Sequence, residues 1–264
     1  MSKIAWYDPG DKFPRWLRDL WVLSHPSYTL WHLSYIPIGA ALAPALNWSL
    51  LGWTLLAFFL GMGVAAHCLD ELHGRPLKTT IPSPVLKAVA LVALAGAVGI
   101  GVFVGVRETL WVIPCILFGV FIALAYNLEW PSGYGLGGDW WVLEVIPQGF
   151  FHRDRFFGLA WGAFPLATSY LAQAHTLSAP VIILGIFALV YSLAQRTLSK
   201  HARFWRRRVA FLSAHYALNG EPVAMGFAHD LTKQDIFGPA EGALQLMTWA
   251  VVALAVGLLL WRLL

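Results

Sequence analysis

Residues 50–78 read LLGWTLLAFFLGMGVAAHCLDELHGRPLK, an apolar run that ends in a dense group of ionisable side chains. The apolar part has the length of one membrane crossing, because roughly 20 apolar residues in a helix span the hydrocarbon of a bilayer. Two histidines, an aspartate, a glutamate and an arginine then follow within His67–Arg75. Charged groups at the edge of hydrocarbon are energetically costly, so their presence predicts a functional site at this helix end.

The composition of the whole chain is that of a membrane protein. Hydrophobic residues make up 58% of the 264 residues and charged residues only 12%, against about 25% charged in soluble domains. We expect an all-α, polytopic transmembrane helical bundle of about seven to nine spans that forms a single domain over residues 1–264. Seven apolar intervals are predicted as spans: 28–46, 50–71, 84–106, 110–128, 155–174, 179–198 and 241–263.

Two segments lie outside these predicted spans. Residues 1–26 carry tryptophans and basic residues in the pattern of an interfacial amphipathic lead-in. Residues 199–240 are expected to be cytoplasmic or interfacial, and part of 209–230 is apolar enough for an additional, partial span. We expect an integral protein of a bacterial inner membrane with a cytoplasmic N-terminus.

The basic residues set the predicted orientation. With the N-terminus inside, Arg107 and Arg262 alone among the 18 Lys and Arg residues fall on the outer side. This asymmetry follows the positive-inside rule. The net charge of +4 therefore reflects membrane topology, and we expect membrane lipids and no nucleic acid among the partners.

The side chains after the second predicted span have the chemistry of metal ligands. On a helix, His67 and Glu71 share a face because they are four residues apart, and Asp70 lies beside them. Mixed imidazole and carboxylate donors favour Fe, Mn or Zn over Mg²⁺, which prefers oxygen and water. A hydrogen-bonded polar helix end is the alternative reading. The predicted ligands of a divalent metal are His67, Asp70, Glu71, His73, Glu129, His152 and Asp154.

Four motifs, taken in order, resemble the UbiA superfamily of intramembrane prenyltransferases. They are Leu-Ser-His-Pro-Ser at 23–27, Arg-Pro-Leu-Lys-Thr-Thr-Ile-Pro-Ser at 75–83, Tyr-Asn-Leu-Glu at 126–129 and Phe-Gly-Leu-Ala-Trp-Gly-Ala at 157–163. The resemblance covers roughly residues 14–198. It implies a helical bundle that binds an isoprenoid or lipid-like substrate and transfers a prenyl group with Mg²⁺. Asp70, Glu71 and Glu129 become the expected catalytic residues, and Arg75, Tyr126 and Arg196 the expected substrate contacts.

The chain departs from the family at the catalytic motifs. Asp70 aligns with an aspartate of the family's first Asp-rich motif, but that stretch is shorter here and contains histidines. Glu129 stands where the family has a lysine that contacts diphosphate, and a carboxylate there repels such an anion. The second Asp-rich motif is replaced by residues 195–201, which contain no aspartate.

Three functions stay open from the sequence. The first is a divergent, UbiA-like membrane enzyme that acts on a prenyl or other lipid substrate at a cytoplasmic metal site. The second is a membrane metalloprotein whose His/carboxylate site does redox or hydrolytic chemistry. The third is a non-catalytic subunit that holds a lipid or pigment inside a larger membrane complex. The first and third require an apolar cavity, which we expect beside spans 50–71 and 110–128, ending at residues 67–73.

The predicted orientation is testable by cysteine labelling. In a variant without Cys68 and Cys115, single cysteines placed at positions 76 and 203 should react in intact cells only with a membrane-permeant maleimide, because both positions are predicted to face the cytoplasm. Labelling of either position by an impermeant reagent contradicts this topology.

Overall fold

A computed structural model of the chain describes residues 3–130, 149–216 and 229–264, and helices account for 76% of it. The helices are α1 Arg15–Leu23, α2 Pro26–Ala41, α3 Trp48–Phe58, α4 Ala66–Leu72, α5 Ser83–Arg107, α6 Val112–Asn127, α7 Asp154–Gly158, α8 Phe164–Ala174, α9 Ala179–Arg207 and α10 Lys233–Trp261. Two π-helical segments, π1 Phe59–Ala65 and π2 Leu159–Ala163, join α3 to α4 and α7 to α8. Single 3₁₀ turns lie at Gly10–Lys12 and Phe150–His152.

Within the described part of the chain, four continuous helices are long and apolar enough to cross a membrane. They are Trp48–Leu72, Ser83–Arg107, Ala179–Arg207 and Lys233–Trp261. The all-α membrane architecture predicted from the sequence is thereby confirmed, whereas the count of seven to nine spans is not. Helix α6 is apolar but shorter.

The predicted segment 199–240 is divided differently in the structure. Helix α9 continues through the basic residues to Arg207, and α10 begins at Lys233. Between them, the described residues 209–216 are not helical, and β1 His215–Tyr216 pairs antiparallel with β2 His229–Asp230. The rest of the additional span considered in 209–230, residues 217–228, lies outside the described residues.

Helix α2 packs against α8 and α10 at the centre of the bundle. Its Trp31 and Tyr35 are fully buried, and the Trp31 indole N–H donates a hydrogen bond to the Tyr35 hydroxyl at 2.9 Å. Gly39 permits this packing, since a Cβ there would lie 2.1 Å from the Leu166 carbonyl oxygen of α8.

The N-terminal segment is fastened by a buried ion pair. Arg18 of α1 donates to both carboxylate oxygens of Asp8, at 2.8 and 2.7 Å. Burial alone would raise the pKa of Asp8, but hydrogen bonds from Arg18 and from the Ile4 and Gly10 amides outweigh it and lower the pKa to about 2. Trp16 and Trp21 of α1 are exposed while Arg18 is buried, an arrangement suited to the membrane interface predicted for residues 1–26.

The loop after α4 is held by buried carboxylates. Glu71 is fully buried and accepts hydrogen bonds from the Leu77 amide at 2.9 Å, the Thr79 amide at 2.8 Å and the Thr79 hydroxyl at 2.9 Å. Asp19 of α1 likewise accepts from the Thr80 amide at 2.7 Å. The motif at 75–83 that resembles the UbiA family is therefore a closely fixed turn into α5.

Replacement of Glu71 should destabilise the fold. Glu71→Ala removes three hydrogen bonds to a buried charge and leaves their donors unsatisfied, which should lower the free energy of unfolding by about 3 kcal/mol or more. Denaturation in mixed micelles measures the change, with the exposed Glu108→Ala as the matched control. Equal stability of the two variants contradicts the structural role of Glu71.

Candidate functional site

Charged and aromatic side chains from α4, α6, α9 and the 149–154 turn meet at the predicted inner end of the bundle. Asp70 lies within electrostatic range of His152, Arg196 and Arg203. Tyr126, at the end of α6, lies within range of Asp70 and the same two arginines. We call these five residues, Asp70, Tyr126, His152, Arg196 and Arg203, the mouth cluster. The structure thus brings together Asp70, Tyr126, His152 and Arg196, which are all among the predicted site residues.

Aromatic rings form the inner wall of the mouth cluster. The Tyr126 ring stacks on His152 with a centroid separation of 4.5 Å and contacts Trp161 at 4.8 Å. The Arg196 guanidinium lies over the Phe157 ring at 4.9 Å. The Tyr126 side chain is 3% exposed, yet its hydroxyl has no hydrogen-bond partner among the described residues. A buried, unsatisfied hydroxyl is costly, and a bound polar group would relieve it.

Three histidines near the cluster share one hydrogen-bond arrangement. His67 Nδ1 lies 3.0 Å from the carbonyl oxygen of Gly63. In the same way, His32 Nδ1 lies 2.9 Å from the Trp161 carbonyl oxygen, and His152 Nδ1 lies 2.9 Å from the Tyr126 carbonyl oxygen. A carbonyl only accepts, so Nδ1 carries the proton and Nε2 of the neutral ring keeps its lone pair. Gly63 and Trp161 belong to π1 and π2, and such segments are frequent at functional sites.

His25 extends this group toward the N-terminal segment. Its ring lies 4.7 Å from the His67 ring, and its Nδ1 is hydrogen-bonded to the Tyr7 hydroxyl. Burial, followed by the nearby His67 and two arginines, holds the pKa of His25 well below its usual value, so the ring is neutral at pH 7. His25 and His32 are not among the predicted site residues. Their separation by seven residues, about two helical turns, is the sequence signal that could have linked them, although His25 is the N-cap of α2 and has a positive φ.

Glu129 lies between two histidines on separate elements. Its carboxylate oxygens are 3.4 Å from His73 Nε2 and 3.8 Å from His152 Nε2. Three of the seven predicted metal ligands therefore meet, although within residues 3–130, 149–216 and 229–264 no group of three or more His, Cys, Asp and Glu side chains forms a site able to hold a metal ion. The metal stays a prediction.

The remaining predicted site residues have other partners. Glu71 is occupied by the 77–79 backbone, and Arg75 braces the same loop through the Ile81 carbonyl at 2.7 Å. Asp154 pairs with Arg196 at 3.2 Å and with Lys200 at 2.6 Å.

Helix α9 presents a row of cations, of which Arg196 is a predicted substrate contact. Arg196, Lys200, Arg203 and Arg207 recur at intervals of four, three and four residues, which places them on one helix face. That face lies toward Asp70, Tyr126 and the N-terminal segment. We call it the cationic face. From the sequence, the basic run at 200–208 is predicted to be an anchor on anionic lipid head groups, with diphosphate binding as the alternative.

An apolar cavity of about 120 Å³ lies next to the mouth cluster. Helices α3, α5, α6 and α8 line it together with both π segments. At one end it reaches Ala66, Ala123 and Trp161, and the Trp161 ring contacts Tyr126. A cavity lies beside the spans 50–71 and 110–128, as predicted, but its lining stops at Ala66 and does not include the predicted end at residues 67–73.

No family model, curated protein or solved structure matches the chain. The function is therefore inferred from the geometry of the site.

Proposed function

We propose that the chain is a divergent, UbiA-like membrane enzyme of the prenyltransferase type, acting on a prenyl or other lipid substrate at its cytoplasmic side. The observation that carries this proposal is the junction of an apolar cavity with a polar, cationic cluster. Such a junction matches an amphiphile, because apolar walls hold a hydrocarbon chain while a few convergent polar groups fix its head.

The residues around the junction suit transfer of a prenyl group. In such a transfer the bond between the allylic carbon and the head-group oxygen breaks, and the electron pair leaves with the head group. A nucleophile then bonds to the carbon and releases its proton to solvent. The rings of Tyr126, Phe157 and Trp161 lie at the inner wall, where aromatic faces stabilise a developing carbocation. Arg196 and Arg203 lie on the head-group side, where cations stabilise the departing negative charge.

The number of membrane spans and their orientation are part of the same proposal. Every predicted span overlaps a helix, including α2 at Pro26–Ala41 and the continuous run of α7, π2 and α8 over residues 154–174. We propose that these shorter elements also lie in the membrane and complete a seven-span, UbiA-like bundle. The N-terminus then lies in the cytoplasm of a bacterial cell, and the mouth cluster opens on that side.

The family's Mg²⁺ does not fit the residues present. Among the described carboxylates, Glu71 is saturated by backbone donors, Asp154 is paired with two cations and Asp70 faces arginines. Residues 195–201, which replace the second Asp-rich motif, contribute Arg196 and Lys200. We therefore derive no catalytic step through Mg²⁺.

Filling the cavity should abolish binding of the lipid chain. Ala97 lines the cavity on α5, whereas Ala95 on the same helix is exposed. Ala97→Trp should weaken binding of tritiated geranylgeraniol at least tenfold, since burial of each displaced methylene contributes about 0.8 kcal/mol. Ala95→Trp adds the same side chain outside the cavity and should bind as the wild type does, with folding of both variants checked by thermal melting.

The outcome separates the proposed functions. Unchanged binding by Ala97→Trp, or no binding by the wild type, contradicts a lipid site in this cavity. Tight binding without any transfer from geranylgeranyl diphosphate to quinol or aromatic acceptors, together with co-purifying subunits, supports the non-catalytic lipid- or pigment-holding subunit instead.

The contact of Glu129 with His73 and His152 favours a second candidate, a membrane metalloprotein with an Fe, Mn or Zn site. Imidazole and carboxylate are the usual donors to these metals, and the Nδ1 bond of His152 leaves its Nε2 on the side of Glu129. His67, Asp70 and Glu71 remain further predicted ligands, although Glu71 is held by the loop.

Metal content tests this second candidate. If the chain is a metalloprotein, gently purified wild-type protein should carry about one equivalent of Fe, Mn or Zn per chain, as expected for a single site. Glu129→Gln should then lose the metal, whereas Glu108→Gln, an exposed glutamate on another helix end, should retain it. Metal-free wild-type protein, or full retention by Glu129→Gln, rejects the candidate.

A further inference from the structure

Trp161 borders both the apolar cavity and the mouth cluster. It lines the cavity at the end that Ala66 and Ala123 form, and its ring also contacts the Tyr126 ring at 4.8 Å. The Trp161 side chain is only 7% exposed, so it fills the space in which it lies. The cavity lining does not include Tyr126. A ligand that has its chain in the cavity and its head at the cluster therefore has to displace the Trp161 ring.

The backbone that carries this ring lacks a regular helical hydrogen bond. In an α-helix the Trp161 carbonyl would accept from the N–H of residue 165, but that residue is proline and has no N–H. The carbonyl accepts instead from Nδ1 of His32 on α2, at 2.9 Å. His32 is 4% exposed, so this hydrogen bond is shielded from water. A side chain of another helix thus supplies the donor that Pro165 removes.

Features that allow a helix to bend are concentrated around Trp161. Helix kinks occur at proline, at glycine and at π-helical turns, and all three are present in residues 158–165. Gly162 lies directly against α9, where a Cβ would come within 2.4 Å of the Ala188 carbonyl oxygen. Gly158 and Gly162 flank the ring without side chains of their own. Residues 158–165 therefore have the composition of a hinge.

We propose that Trp161 is a gate between the apolar cavity and the mouth cluster, and that the hydrogen bond from His32 holds this gate closed. When the bond breaks, π2 bends near Pro165 and moves the Trp161 ring out of the path. The inference rests on the proposed function, since the ligand that passes the gate is the lipid chain placed in the cavity. The motion of the ring belongs to the chain itself and is measurable without a ligand.

Fluorine NMR of the protein in detergent tests the motion directly. The tryptophans are replaced by 5-fluorotryptophan during expression, and the resonance that Trp161→Phe removes is assigned to Trp161. Saturation transfer then detects a minor, open position that exchanges with the closed one. His32→Leu removes the N–H donor, and it should raise the ratio of open to closed protein about tenfold, as expected for loss of one buried hydrogen bond.

Pro165→Ala tests why the hydrogen bond from His32 is needed. Alanine restores the N–H four residues beyond Trp161, so the helix itself can satisfy the carbonyl. This variant should shift the ratio toward the closed position. In its background, His32→Leu should change the ratio by about twofold or less, because the two donors act on the same carbonyl and their effects are not additive.

Thr248→Val is the matched control. Thr248 is buried on α10, and its hydroxyl donates to the Leu244 carbonyl at 2.7 Å. The variant also removes a hydrogen bond between a buried side chain and a carbonyl, but α10 contributes no residue to the cavity lining. The ratio of open to closed protein should equal that of the wild type. Thermal melting checks that every variant is folded.

Binding kinetics connect the gate to the lipid. A ligand passes the same gate on entry and on exit, so His32→Leu should raise the association and dissociation rates of tritiated geranylgeraniol by the same factor. The Kd should stay as in the wild type. Damage to the cavity itself would change the Kd instead, which separates a gate from a purely structural role of His32.

Several outcomes overturn the inference. A Trp161 resonance that shows no second position in either the wild type or His32→Leu excludes the gate, with or without lipid binding. Additive effects of His32→Leu and Pro165→Ala, or an equal effect of Thr248→Val, remove the role of the His32 hydrogen bond. If His32→Leu does not fold, Pro165→Ala decides, because an unchanged ratio in that variant contradicts the proposal. A ring that moves in a wild type that does not bind geranylgeraniol supports the hinge but overturns the proposed function.

Discussion

The buried carboxylate of Glu71 is the interaction on which the inner end of the molecule depends. It joins the end of α4 to the loop that leads into α5 through three hydrogen bonds. The same loop is tied to α1 by Asp19 and to α9 by Arg207. An ionised group inside a protein is tolerated only when its lone pairs are filled, so this network fixes the loop and the helix ends around it.

Fixed helix ends place two unlike environments side by side. On the membrane side, small and apolar residues of four helices leave the cavity, and on the other side the cationic face and the mouth cluster gather. The π segments contribute at this boundary, because their carbonyls orient His67 and His32. An amphiphilic ligand with an anionic head matches both environments.

The sequence predicts the apolar helices well, because hydropathy over 20 residues is a strong and local signal. It also names Asp70, Tyr126, His152 and Arg196 as site residues, and the structure places these four within electrostatic range of one another. The sequence does not predict the hydrogen-bond partners of Glu71. A carboxylate four residues from a histidine is equally compatible with a metal ligand and with a hydrogen-bond acceptor for a neighbouring loop. The cationic face could not be predicted without the end of α9. Because the helix continues to Arg207, the basic residues align on one helix face and do not lie in a loop.

Photolabelling tests the account most directly, through a geranylgeranyl diphosphate that carries a diazirine at the far end of its chain. If the lipid chain lies in the cavity, the labelled peptides come from the cavity lining, such as residues 53–62, 94–104 and 112–123, and unlabelled diphosphate competes the label away. Labels confined to the exposed, lipid-facing residues, such as Leu91, Ile183 and Leu246, and unaffected by competition, would contradict it.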